Sequence, residues 1–153
     1  MILHTFSDGG ARGNPGPSAI GVVLCSPEGK IIAETAECIG EGTNNKAEYR
    51  AMMKALELAK AHKATRLLCH GDSELIIFQL QGRYRIKDAQ LKVLAEKVKS
   101  AAGGFEAVSW KQVPREHPMI ARADKLLNRA LDQAKAYSPA KPLAQERSQG
   151  ELF

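Results

Sequence analysis

The feature that most constrains this chain is a switch of hydrophobic period near residue 42. Before it the pattern suits strands: Ile2 to Ser7 alternates, Ala19 to Cys25 is mostly apolar, and Lys30 to Ile39 follows the turn Ser26-Pro-Glu-Gly29. These three runs read as an antiparallel meander that Gly40-Glu-Gly42 breaks. After it, Asn44 to about His62 carries Ala51, Met52, Ala55, Leu56, Leu58 and Ala59 as an apolar stripe at helical spacing. A short apolar run, Leu67-Leu-Cys69, leads to Asp72, and a helix spans Ser73 to Leu80 with Gly82 as its stop. Another helix begins near Asp88 and closes at Gly103-Gly104; a strand covers Phe105 to Val113, and a last helix runs from about Met119 to Ala136. Three strands followed by strands alternating with helices predict an α/β fold. Its mixed five-stranded sheet is antiparallel on one side, parallel where the crossovers run, and covered by helices on both faces. This assigns residues 1–137 to one domain and 138–153, with Pro139 and Pro142, to a polar tail.

Composition sets the setting for that fold. The 153 residues suffice for a core without staples, and no apolar run approaches membrane-spanning length. No secretory or transit pattern opens the chain, and Cys25, Cys38 and Cys69 form no CxxC or zinc spacing, so a reduced, cytoplasmic setting and a monomer are expected. With 22 Lys and Arg against 17 Asp and Glu, the net charge of +5 suits a polyanionic partner without requiring one.

Within this frame one acid stands out. On a helix Glu48 shares a face with Ala51, Met52 and Ala55, which is costly for a lone carboxylate unless a cation or partner meets it. Asp8 lies at the end of the first strand and Asp72 at the end of the fourth, neighbours at the centre of such a sheet, while Asp124 sits in the first turns of the last helix. Converging carboxylates without basic partners repel, and divalent metal is the usual remedy; oxygen ligands suit Mg²⁺ or Mn²⁺ better than zinc. Two such ions about 3.5–4 Å apart activate a water and steady the leaving oxygen of a phosphodiester. Each acid also has an ordinary reading: Asp72 before Ser73 as a helix cap, Asp8 before Gly9 as an Asx-turn.

The motifs Phe6-Ser-Asp-Gly-Gly-Ala-Arg-Gly-Asn-Pro-Gly-Pro17, Gly42-Thr-Asn-Asn-Lys-Ala-Glu48, Gly71-Asp-Ser-Glu-Leu75 and Val113-Pro-Arg-Glu with Ala123-Asp124 together resemble the ordered motif set of type 1 ribonuclease H. The resemblance spans roughly residues 1–137. It implies the ribonuclease H fold and cleavage of the RNA strand of RNA/DNA hybrids, leaving 3′-hydroxyl and 5′-phosphate ends, with Asp8, Glu48, Asp72 and Asp124 matching the metal-binding acids. It also implies that Asn14, Asn44 and Asn45 face the minor groove of the hybrid, where 2′-hydroxyls mark RNA, and that Thr43 grips a phosphate of the DNA strand. Helix capping is the alternative for Asn44 and Asn45, and a turn before Pro15 for Asn14.

Two segments depart from many relatives. Gly82-Arg-Tyr-Arg-Ile-Lys87 offers Arg83 and Tyr84 to a phosphate backbone, yet only a short link separates it from the next helix, without the basic helix that some relatives insert. In Val113-Pro-Arg-Glu-His-Pro118, Arg115 and His117 are both candidates for the product-release role that a Gly-His histidine plays elsewhere. Finally, Gln149-Gly-Glu-Leu152-Phe153 resembles the short peptide by which bacterial replication proteins dock on the sliding clamp. The alternative is that Leu152 and Phe153 fold back on the domain's own core.

Overall fold

A computed structural model describes residues 1–137, so the motif at Gln149, Leu152 and Phe153 lies outside the described residues. The strands are β1 (Ile2–Ala11), β2 (Gly16–Cys25), β3 (Ile31–Gly42), β4 (Arg66–Gly71) and β5 (Ala107–Gln112). They form one sheet in the order β3-β2-β1-β4-β5. The β1–β2 and β2–β3 pairs are antiparallel, and the β1–β4 and β4–β5 pairs are parallel. The crossovers run through α1 (Asn44–Ala61), α2 (Glu74–Leu80) and α3 (Ala89–Ala102), and α4 (Pro118–Tyr137) ends the described chain.

Local chemistry sets the helix starts. Thr43, in extended conformation, caps α1 by accepting the Lys46 N–H; Ser73 caps α2 through the Ile76 N–H; Asp88 caps α3 by accepting from Gln90 and Leu91. The α1 cap is therefore neither Asn44 nor Asn45. Apolar faces then set the layers. Tyr49, Leu56, Leu67, Ile76 and Ile77 share the larger core between the sheet and α1 to α3, and each such buried side chain contributes about 1.5–3 kcal/mol. On the opposite face α4 packs Ile120 and Ala123 on Phe6, Val23 and Cys25, and Leu127 and Leu131 on Ala19. Inside the larger core the buried Tyr49 hydroxyl donates to Gln79 Oε1 at 2.6 Å, which satisfies both polar groups.

The strands run further than their sequence pattern predicts at the end nearest the acids. β1 continues through Gly9 and Gly10 to Ala11, so Asp8 lies inside it, opposite Gly21 of β2, instead of at its end. β3 likewise passes Gly40-Glu-Gly42 by a bulge: Ser18 pairs with Gly40 and Ala19 with Cys38, leaving Ile39 as the extra residue. Gly40 takes φ of 86°, and the buried Ser18 hydroxyl donates to its carbonyl at 2.7 Å. β5, by contrast, starts at Ala107; Phe105 closes a turn onto Ala102 and packs against the larger core.

Two glycines let helices approach the sheet at this end. A Cβ on Gly9 would lie 2.3 Å from the Ala47 carbonyl carbon and oxygen, and one on Gly21 would lie 2.2 Å from the Ala123 oxygen. Backbone cannot yield as a side-chain tip can. Gly9→Ala is expected to cost about 2–3 kcal/mol, lowering Tm by about 5–10 °C, through forced separation of α1 from β1. Gly10→Ala meets its nearest atoms only at 3.8 and 3.9 Å and is expected to cost less than about 1 kcal/mol. Thermal unfolding of the two variants compares them directly.

Candidate active site

Asp8 projects from β1, Asp72 follows β4, and the pairing of those two strands brings them together. Glu48 arrives from the second turn of α1, its Oε1 accepting the Gly9 N–H at 2.9 Å, so the glycine that admits the helix also fixes its acid. One carboxylate oxygen from each of Asp8, Glu48 and Asp72 lies within 4.8 Å of the others. Asp124, on α4, joins them in lining a cleft of about 350 Å³ that also takes in Arg115 and Asn44.

The electrostatics of the cluster follow from its geometry. Burial, reinforced by Asp72 and by hydrogen bonding and charge from Asp124, pushes the Asp8 carboxyl up to about 8. Glu48 is raised well above the usual carboxylate range, again first by burial and then by Asp8 and Asp72. Asp72 is raised by burial, and its buried Oδ1 has no hydrogen-bond partner. The nearby Arg115 guanidinium opposes the rise at all three. A hard divalent cation fits this donor set: clustered oxygens, an unsatisfied buried lone pair, and acids that resist ionising until a positive charge arrives.

The amides form a rim beside the acids. Asn44 Oδ1 accepts the Ala11 N–H at 2.8 Å, and Asn14 Oδ1 accepts the Asn44 N–H at 3.0 Å. With both oxygens bound to backbone, the NH₂ halves are the donors that remain. The side chain of Thr43 is committed to its cap, and Asn45 lies half-buried in the first turn of α1. Arg83 and Tyr84 stand apart from the cleft, clasping Phe78: the guanidinium lies 3.8 Å from the ring centroid, and the phenol meets the ring edge-on at 5.1 Å. The Tyr84 hydroxyl also donates to Glu74 at 3.2 Å.

Of the two loop candidates, Arg115 lines the cleft and His117 does not. The ring of His117 stacks on Phe6, and its Nδ1 accepts the Met119 N–H at 3.1 Å, at the start of α4. Two cleft residues escaped the sequence reading. Asn128 donates from Nδ2 to the Asp124 carbonyl at 2.9 Å, and Arg12 reaches Asn128 and pairs with Asp132 at 2.7 Å. The available signal was the helical i, i+4 spacing of Asp124 and Asn128. Arg12, set among turn residues, carried none.

A family model described as reverse transcriptase-like matches residues 6–130. Ribonuclease HI of Halobacterium salinarum is 42% identical over 132 residues, covering 86% of this chain and 65% of that protein. The crystal structure of RNase H1 from that archaeon matches with a TM-score of 0.84 at 41% identity, over 88% of this chain and 100% of that one. Ribonuclease HI of Caulobacter vibrioides is 34% identical over 143 residues, 84% of this chain and 92% of that protein. LC11-RNase H1, solved in complex with an RNA/DNA hybrid, matches with a TM-score of 0.82 at 38% identity, over 87% of this chain and 99% of that one. The chain thus spans 65% of the Halobacterium relative and 36% of a matching bifunctional protein of Mycobacterium tuberculosis.

The raised acids make metal and pH act together on stability. A carboxyl whose folded pKa lies above its unfolded value gives stability that is full below the unfolded value and lost as pH rises toward the folded one. In chelator, Tm is therefore expected to fall from pH 4 toward pH 8, the window set by Asp8, and Asp8→Asn to flatten that fall. Millimolar Mn²⁺ or Mg²⁺ at pH 8 is expected to restore Tm in the native chain and not in Asp8→Asn, as scanning calorimetry can read.

Proposed function

The chain belongs to the ribonuclease H family, and we propose that it is a metal-dependent endonuclease that hydrolyses the RNA strand of RNA/DNA hybrids, leaving 3′-hydroxyl and 5′-phosphate ends. The observation that carries this reading is the meeting of Asp8, Glu48 and Asp72 in a cleft shared with Asp124 and Arg115 and rimmed by Asn44. A cluster of acids would repel a nucleic acid, so the site makes sense only as a holder of cations that then meet the phosphate. The hybrid bound by LC11-RNase H1, 38% identical to this chain, supports the same substrate here.

In this reading Asp8, Glu48, Asp72 and Asp124 would hold two Mg²⁺ or Mn²⁺ ions, which when bound would supply a nucleophilic water and neutralise charge on the leaving oxygen. The oxygen of that water forms a bond to phosphorus as the bond to the 3′ oxygen breaks; the departing oxygen takes up a proton. Gly9 orients Glu48 through the N–H bond described above, so this acid is set before substrate arrives. Arg115, in the lining of the cleft, offers a positive charge to the phosphate undergoing cleavage and to the released 5′-phosphate.

Substrate choice falls to the amide rim. The NH₂ groups of Asn14 and Asn44 are donors that a ribose 2′-hydroxyl can accept from and that a deoxyribose cannot use. Asn45 extends that rim, and Thr43 presents its hydroxyl to a DNA-strand phosphate while keeping its cap. Arg83 and Tyr84, stiffened by Phe78, give the backbone a second footing away from the cleft, in place of an inserted basic helix.

Cleavage of a labelled RNA strand in a hybrid tests the reading. Cuts are expected with Mg²⁺ or Mn²⁺, with single-stranded RNA spared and 5′-phosphate ends on the products. Asp8→Asn is expected to slow them by about three orders of magnitude, roughly 4 kcal/mol of barrier. Asn14→Ala, which removes one recognition donor without touching the acids, is expected to raise KM about tenfold, or about 1.4 kcal/mol of binding. A hybrid that binds and is never cut would sink the proposal.

A further inference from the structure

We infer that His117 is a positioning residue of the acidic site, fixing Asp8, Asp124 and Arg115 relative to one another without meeting the substrate. The inference builds on the proposed nuclease reading but rests on four contacts of one residue. The imidazole stacks on Phe6 with ring centroids 4.9 Å apart and planes 24° from parallel. Its Nδ1 accepts the Met119 N–H at 3.1 Å. Its backbone carbonyl accepts the Ala121 N–H at 2.9 Å, and its own N–H donates to the Pro114 carbonyl at 3.0 Å.

Each contact leads to a different part of the site. Phe6 lies two residues before Asp8 on β1, on the same face of the sheet. The bonds from Met119 and Ala121 make His117 the N-cap of α4, with Pro118 as the first helical residue. That helix presents Ile120 and Ala123 to Phe6 and carries Asp124 next along the chain. The bond to Pro114 closes the turn from which Arg115 projects. Because a backbone N–H can only donate, Nδ1 is the acceptor and the ring proton resides on Nε2. A ring held on both counts is suited to fixing its neighbours and poorly suited to shuttling protons.

Three variants separate positioning from proton transfer. In His117→Asn the side-chain oxygen occupies the place of Nδ1 and keeps the cap while losing the ring; His117→Phe keeps the stack and loses the cap; His117→Ala loses both. Positioning predicts graded losses in kcat on the hybrid, about threefold for Asn, tenfold for Phe and a hundredfold for Ala, with KM within about twofold. It also predicts a pH–rate profile of unchanged shape in all three, and a smaller Mn²⁺-induced rise in Tm for Ala than for the native chain. Asn as inactive as Ala, with one limb of the pH profile gone, would show proton transfer and overturn the inference; so would Ala with native kcat. Should Ala fail to fold, the Asn and Phe variants still decide through kcat and pH profile. If the native chain cuts no hybrid, the nuclease proposal fails by itself, and an equal Mn²⁺ effect on Tm in native chain and variants would overturn this inference separately.

Discussion

How near a helix can come to a strand decides almost everything at the acidic end of this sheet. Gly9 and Gly21 lie under Ala47 and Ala123 at distances that leave no room for a methyl group. The absent Cβ at Gly9 brings α1 close enough for Glu48 to take a backbone N–H of β1. At Gly21, directly across from Asp8 in the ladder, it seats α4 so that Asp124 hangs over the same spot. Close packing in proteins usually serves the core. Here it sets the span of a polar cluster.

That cluster is an unfavourable arrangement held in place by favourable ones. Burial first, and then repulsion from neighbouring carboxylates, raises Asp8, Glu48 and Asp72, so ionising them within the fold carries a cost that protons or cations relieve. The cost is bearable because the scaffold around it is heavily satisfied. The Tyr49–Gln79 bond and the apolar packing on both faces lie elsewhere, and the helix starts beside the acids are capped. Cations and protons therefore compete for the same carboxylate oxygens.

Sequence patterning made the topology legible, because alternation and helical stripes are properties of residues a few positions apart. The ends of the strands were not legible. Gly9-Gly10 and Gly40-Glu-Gly42 read as breaks, yet in the sheet one is a close approach and the other a bulge carried by a positive φ. The same divide runs through the site. Glu48 betrayed itself by sitting on an apolar helix face, whereas Asp8 and Asp72 taken alone are indistinguishable from turn and cap residues. Their meeting depends on the pairing of β1 with β4, which the predicted strand order already implied and the motif resemblance made specific to each residue. Arg12 and Asn128 act through a tertiary contact that no local pattern encodes. His117 carried a recognisable signal, a titratable group in the right loop, which pointed to chemistry where the structure shows a stack and a cap.

The parallel pairing of β1 with β4 also has a consequence for how the molecule comes into being. Thr5 and His70, joined by a hydrogen bond across that pairing, are 65 residues apart in the chain. Loop closure over such a distance costs entropy that must be met before the contact repays it, so this part of the sheet belongs to the slow, high-contact-order portion of folding. During synthesis the β1–β3 meander and α1 emerge with two of the acids, but the cluster has no place to form until β4 docks. Asp72 joins the first two acids only when β4 pairs with β1, and Asp124 only with α4, the last described element.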